Sequence, residues 1–145
     1  TRLVDRCRAD SHRRARTELE RLEADLLAEG SRLDTGGLCA NAARALGPLA
    51  SILASHALIH AAEGEMFREV LRQAAAGRKI ALADVPEREA EGRCARALSR
   101  PAEELRTHLA GLGREAGPPW QKDQKVAALI AWMCLGDAET RARSR

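Results

Sequence analysis

The stretch Val126-Ala-Ala-Leu-Ile-Ala-Trp-Met-Cys-Leu135 decides the fold. Its side chains would leave almost no polar side on a helix, and a helix that is apolar all round is buried. Asp123 or Gln121 is placed to cap its first turn. We therefore expect a final helix that runs through the centre of the domain.

Trp120 stands just before this helix, after Gly117-Pro118-Pro119. The two prolines restrict the backbone and predict a rigid, extended linker. Two interpretations of Trp120 stay open. It is either a partner-binding platform, on which a base or a proline-rich peptide would stack, or a plug for the core of its own domain.

Earlier segments predict further helices and little sheet. Leu105, Leu109 and Leu112 recur at helical spacing, and residues 49–76 have a mainly helical pattern. The best strand candidate is Arg78–Val85, where Ile80 and Leu82 alternate with small residues.

Gly64 disturbs the helical pattern of residues 49–76, since a glycine inside a helix is unfavourable by about 1 kcal/mol relative to alanine. A continuous or kinked helix is the favoured interpretation, and a short strand at 57–61 is the alternative. The fold class predicted is mainly α: a compact bundle of five or six helices with one or two short strands near 78–85 and, in the alternative, 57–61.

Residues 1–29 predict one long, charged, amphipathic helix with a stripe formed by Leu19, Leu22 and Leu26. We expect this stripe to pack antiparallel on a later helix, or alternatively to pair with a second copy. It is therefore a candidate partner-binding surface. The domain division predicted is the helix at 1–29, a helical core domain at 30–139 and a basic, frayed tail at 140–145.

The composition is that of one globular domain of 145 residues, with only 2% aromatic residues and a net charge of +3. No apolar run reaches the ~20 residues needed to span a membrane. No signal peptide is visible, so a cytoplasmic location is expected.

The four cysteines are far apart, which argues against a zinc ribbon, and free thiols are expected. The chain begins with Thr1 and not Met, as expected of a trimmed chain or a part of a longer one.

Arginine makes up 21 of the 24 basic residues, and its planar guanidinium suits phosphate binding. Two clusters could contact nucleic acid, although a solvated helix face is the favoured explanation of the first cluster. The candidate nucleic-acid-binding residues are Arg13, Arg14, Arg141 and Arg143.

The richest chemistry lies in His56-Ala-Leu-Ile-His60-Ala-Ala-Glu63-Gly-Glu65. His56, His60 and Glu63 are spaced i, i+4 and i+7, which places them on one face of a helix. Imidazole and carboxylate groups bind divalent metals such as zinc, iron, nickel or manganese. These three residues are therefore candidate metal ligands, and a divalent metal is the cofactor to test. The alternative is a set of solvated residues on the polar side of the helix.

Three segments occur in the same order as in a known family: Glu63-Gly-Glu65-Met-Phe-Arg68, Lys79-Ile-Ala-Leu-Ala83 and Asp123-Gln-Lys-Val-Ala-Ala-Leu-Ile-Ala131. Residues 55–135 thereby resemble the C-terminal half of RNase H-like nucleases of the Holliday-junction-resolvase type. The resemblance implies two-metal phosphodiester hydrolysis, with Glu65 and Asp123 as catalytic metal ligands. The family's first strand, which carries its leading aspartate, has no counterpart in residues 1–48.

Two functional classes follow from these features. The favoured one is a helical interaction module of a larger intracellular assembly, with a protein partner or the parent chain as its binding partner and nucleic acid as a further candidate partner. The alternative is a metal-dependent phosphodiester-cleaving enzyme or a degenerate relative of one. No membrane partner is expected.

Overall fold

A computed structural model describes the backbone of residues 2–40 and 46–143 and the side chains of residues 2–40 and 46–136. Within these residues the chain forms six helices and two short strands, so the predicted mainly α fold is confirmed. No described helix is both long and apolar enough to cross a membrane. The elements are α1 (Arg2–Ala28), β1 (Thr35–Cys39), α2 (Leu49–Leu53), α3 (His56–Gly77), β2 (Ala81–Val85), α4 (Glu87–Leu98), α5 (Ala102–Ala116) and α6 (Lys122–Arg143).

The chain divides into two compact units. The first unit holds α1, α2 and α3, and the second holds β1, most of β2, and α4 to α6. The predicted boundaries at residues 29/30 and 139/140 stay a prediction.

The core of the second unit is built from aliphatic side chains and two thiols. Ile130 on α6 is only 1% exposed, and Leu105 on α5 is fully buried. Burial raises the pKa of the Cys94 thiol, which is therefore protonated at neutral pH. The remaining members of this core cluster are Val85, Ala90, Leu109, Leu129, Met133 and Cys134.

Strand β1 occupies residues that the sequence analysis did not assign to a strand. It pairs in parallel with β2: the Ala81 N–H donates to the Asp34 carbonyl at 3.1 Å, and the Ala40 N–H donates to the Val85 carbonyl at 3.0 Å. Its Thr-Gly-Gly sequence has weak strand propensity. The strand therefore depends on pairing with β2 and on packing against α6.

In the first unit, α1 packs on α3. Residues Cys7 to Ala15 of α1 lie beside Phe67 to Leu71, in the middle of α3. Further along α1, Glu20 and Glu23 form ion pairs with Arg78, just after the end of α3. The two helices therefore run parallel. The prediction that α1 packs antiparallel on a later helix is wrong.

Helix α3 is continuous from His56 to Gly77, so the favoured helical interpretation of residues 57–61 is confirmed and the strand alternative is not. Gly64 lies inside the helix, where a Cβ atom would be 3.3 Å from the Arg68 guanidinium. One interior glycine is unfavourable by about 1 kcal/mol. The other turns of this 22-residue helix offset that penalty.

Candidate functional site

The two histidines of the first unit meet at the start of α3. Nε2 of His56 lies 3.0 Å from Nε2 of His60, and the ring centroids are 4.4 Å apart at an interplanar angle of 82°. The spacing i, i+4 brings them together because residues four apart are neighbours on a helix. Both side chains are exposed, so solvent and ions reach the pair.

Glu63 adjoins this pair from the other side of the His60 ring. Its Oε2 atom lies 3.2 Å from Nδ1 of His60. A carboxylate only accepts hydrogen bonds, so Nδ1 of His60 carries the proton and donates. Nε2 of neutral His60 then keeps its lone pair and accepts from Nε2–H of His56.

The three predicted metal ligands are thus brought together, but not around one point. The two Nε2 atoms face each other, while Glu63 contacts the other ring nitrogen of His60, Nδ1. In the described part of the chain, no three or more His, Cys, Asp or Glu side chains are arranged to hold a metal. Any metal would be bound by the histidine pair alone, with its other positions open.

Glu65 lies two residues beyond Glu63, in an ion-pair network on α3. Its Oε2 accepts from Nε and Nη2 of Arg68 at 3.1 and 2.9 Å, and its Oε1 accepts from Arg72 at 3.1 Å. These hydrogen bonds, Arg68 first, hold the pKa of Glu65 below its ordinary value. Both carboxylate oxygens already have cationic partners, which favours a structural role.

Asp123, the other predicted catalytic carboxylate, belongs to the second unit. It is exposed in the first turn of α6. There its negative charge interacts favourably with the positive end of the helix dipole. In the same turn, the Gln121 N–H donates to the Gln124 side chain at 3.0 Å, as in one half of a capping box. Residues 57–61, ahead of Glu65, are helical, whereas nucleases of that family have a strand leading into the acidic residue at this point. Catalysis by Glu65 and Asp123 stays a prediction.

The first unit also carries an apolar groove between α1 and α3, with a volume of about 510 Å³. Phe67 on its wall is 53% exposed, although large apolar side chains usually avoid water. Val70 forms its buried floor. The α1–α3 groove is lined by Cys7, Asp10, Ser11, Arg14, Ala15, Phe67, Val70 and Leu71.

The groove was missed because its signal on α1 is weak. Leu3 and Val4 precede Cys7, Ser11 and Ala15 at spacings of three and four, which is a second stripe beside the leucines. Cysteine, serine and alanine carry little hydrophobic weight, so the leucine stripe dominated the pattern. The clue in the sequence is the spacing of Leu3 and Val4 ahead of Cys7, and the structure leaves both side chains exposed.

The predicted leucine stripe is only partly covered. Leu19 and Leu26 are half-buried, whereas Leu22 is 44% exposed. No described residue of α1 is fully buried over its 27 residues. The stripe is therefore a shallow seam, and α1 keeps apolar side chains in solvent.

Trp120 packs inside the second unit. Its Nε1 donates to the Leu109 carbonyl at 3.1 Å, and a Cβ atom placed on Gly113 would lie 2.2 Å from its Cδ1. Trp120 also packs against the core cluster. This placement matches the alternative in which the indole fills its own core.

The predicted arginine clusters have different settings. Arg13 is exposed and ion-paired with Asp10, and Arg14 lies at the α1–α3 groove. The side chains of Arg141 and Arg143 lie outside the described residues.

No protein-family model matches this chain, and comparison with curated proteins and with solved structures gave no match.

Proposed function

We propose that the first unit is a protein-interaction module whose α1–α3 groove binds an amphipathic helix of a partner protein. The exposed apolar lining of the groove carries the proposal. Exposed apolar patches on soluble domains mark interaction sites. Cys7 to Ala15 covers about 12 Å of α1, or two helical turns, which is room for partner side chains at i, i+4 and i+7.

Charge defines the chemistry of the partner. Residues 2–16 contain six arginines and two aspartates. Arg14 borders the groove and makes no ion pair within the described residues, whereas Asp10 is paired with Arg13. A matching helix therefore carries acidic residues beside its apolar stripe, because opposite charges at the rim speed association and fix the register.

A second copy of this chain is a poorer occupant. Four of the six acidic residues of α1 lie in its second half, and two of these, Glu20 and Glu23, already pair with Arg78 of the same chain. Self-association that placed Glu20 or Glu23 against Arg14 would have to give up these ion pairs. A separate acidic helix avoids that loss.

A displayed library of amphipathic helical peptides with acidic flanks tests the proposal. Peptides selected on the wild-type chain should bind the Phe67→Asp variant at least about tenfold more weakly, as expected when an apolar anchor of the interface is lost. Arg14→Glu should weaken the same peptides. The control is Leu135→Asp, because Leu135 is also exposed but lies in the second unit.

Two results would count against this function. Peptides that bind Phe67→Asp and wild type equally would show that the groove is not the site. Sedimentation that reveals a wild-type dimer, with Phe67→Asp monomeric, would assign the groove to a second copy.

Nucleic-acid association and phosphodiester cleavage have less support. Arg13 already has a carboxylate partner, and Glu65 has two arginine partners. The interaction module rests on a described surface, and we take it as the function that the geometry supports best.

A further inference from the structure

We propose that His56 and His60 form an exposed, bidentate site for a late transition-metal dication such as Zn²⁺, Ni²⁺ or Cu²⁺, with the remaining positions taken by water. The site lies at the start of α3 and is independent of the proposed interaction function. It needs only the two imidazoles that the helix already holds together.

The distance between the two nitrogens fits a shared metal. Zinc binds imidazole nitrogen at about 2.0–2.1 Å, so two nitrogens on one metal lie about 2.9 Å apart at a right angle and about 3.4 Å apart at a tetrahedral angle. The Nε2 atoms of His56 and His60 are 3.0 Å apart. A metal could therefore enter with small rotations of the two rings and no change in the backbone.

Glu63 prepares His60 for this role. By accepting from Nδ1–H of His60, the Glu63 carboxylate leaves the lone pair of Nε2 available as the metal-binding atom. A carboxylate behind a ligating histidine is a common arrangement, and it also makes the imidazole a better donor.

Binding requires one proton to move on His56. In the tautomers assigned above, Nε2–H of His56 donates to Nε2 of His60 when no metal is bound. When the metal binds, His56 loses the proton on Nε2 and takes one from water on Nδ1, so the neutral ring changes tautomer and no net proton is released.

The ligand type selects the metal. Imidazole suits zinc, copper and nickel, whereas magnesium and calcium require oxygen ligands. For a pure nitrogen site, affinity should follow the general order Cu²⁺ > Ni²⁺ and Cu²⁺ > Zn²⁺. Mg²⁺ should not compete.

Titration with Ni²⁺ alone, followed by calorimetry, tests the site. Cys7 and Cys39 are exposed thiols, so the measurement is made in a Cys7→Ser, Cys39→Ser background. One Ni²⁺ per chain is expected. His56→Ala or His60→Ala should weaken binding on the order of a hundredfold, because the second imidazole binds intramolecularly.

Two further variants sharpen the result. Glu63→Ala should weaken binding by about 10–100-fold, as expected when the partner of a ligating histidine is removed. His12→Gln removes a histidine from α1 and should leave the affinity unchanged. All four variants can be checked for intact helicity without metal. His56, His60 and Glu63 are exposed and His12 is half-buried, so none of the four side chains belongs to a buried core.

The proposal fails if His12→Gln weakens binding as much as His56→Ala does. It also fails if the His56→Ala, His60→Ala double variant keeps wild-type affinity for Ni²⁺. Competition by Mg²⁺ would likewise overturn it, because it would indicate an oxygen-based site.

Discussion

The backbone of Gly37 on β1 lies so close to Ile130 on α6 that a Cβ atom at residue 37 would be 2.0 Å from the Ile130 Cγ2 atom. The Cys134 thiol, one turn further along α6, donates to the Gly36 carbonyl at 3.4 Å. The side chains of Ile130 and Cys134 thus lie directly against the glycine backbone of the strand. The second unit depends on glycine at position 37 because any larger residue would separate the two elements.

Gly37→Ala should therefore destabilise the second unit. Placing a methyl group in a packed interior typically costs about 1–3 kcal/mol, because neighbouring side chains and backbone must shift. Urea unfolding followed by tryptophan fluorescence measures this effect selectively, since Trp120 and Trp132 both lie in the second unit.

The same clash provides its own control. Combining Gly37→Ala with Ile130→Ala should cost less than the two single changes added together, because the smaller side chain makes room for the new methyl group. Gly77→Ala, at the end of α3, should not destabilise the chain, since a Cβ atom there meets nothing within 4 Å. Strict additivity in the double variant would mean that the two residues are not in close contact.

The burial of α6 yields a second prediction. Leu129→Ala should reduce the free energy of unfolding by about 2–5 kcal/mol, the usual range for a cavity in a packed core. Leu135→Ala on the same helix should cost far less, because Leu135 is 60% exposed. Equal losses for the two variants would contradict the one-sided burial of α6.

The sequence predicted the helices well where apolar residues were dense. The run from Val126 to Leu135 indicated a buried helix, and Leu129, Ile130, Met133 and Cys134 are buried. Periodicity could not show that one side of α6, including Leu135, stays in solvent. That side is determined by which elements pack on the helix, and this information is not local.

Strand β1 and the direction of α1 escaped the sequence analysis for related reasons. Thr35-Gly-Gly has the composition of a turn, and its pairing with β2 and its contact with Ile130 explain the strand. A leucine stripe has the same spacing in either direction, so it could not distinguish parallel from antiparallel packing on α3. The His56–His60 contact, in contrast, follows from a spacing of four on one helix and was predictable.

The seam between α1 and α3 leads to a third prediction. Leu22→Glu should cost below about 1 kcal/mol, because Leu22 is already 44% exposed. Val70→Asp on α3 should cost about 3–5 kcal/mol, because it buries a charge without a partner. Far-ultraviolet circular dichroism during urea unfolding compares them. If Leu22→Glu unfolds the first unit, α1 is held more tightly than this exposure indicates.

The last prediction concerns the acid dependence that Glu65 gives to the first unit. Arg68 and Arg72 lower the pKa of Glu65 from its ordinary value of 4.5, so the folded state binds its proton less readily than the unfolded state does. The resulting stabilisation is complete above pH 4.5 and is lost as the pH falls through the lowered pKa. Glu65→Gln should therefore be less stable than wild type at neutral pH, by about 1 kcal/mol or less because the network is partly exposed to solvent. The difference should disappear in strong acid, where the wild-type carboxyl is also neutral.

Urea unfolding at a series of pH values measures this difference in stability, with Glu18→Gln on α1 as a control for the loss of one exposed negative charge. A difference that persists unchanged into strong acid would show that Glu65 stabilises α3 through packing and not through its charge.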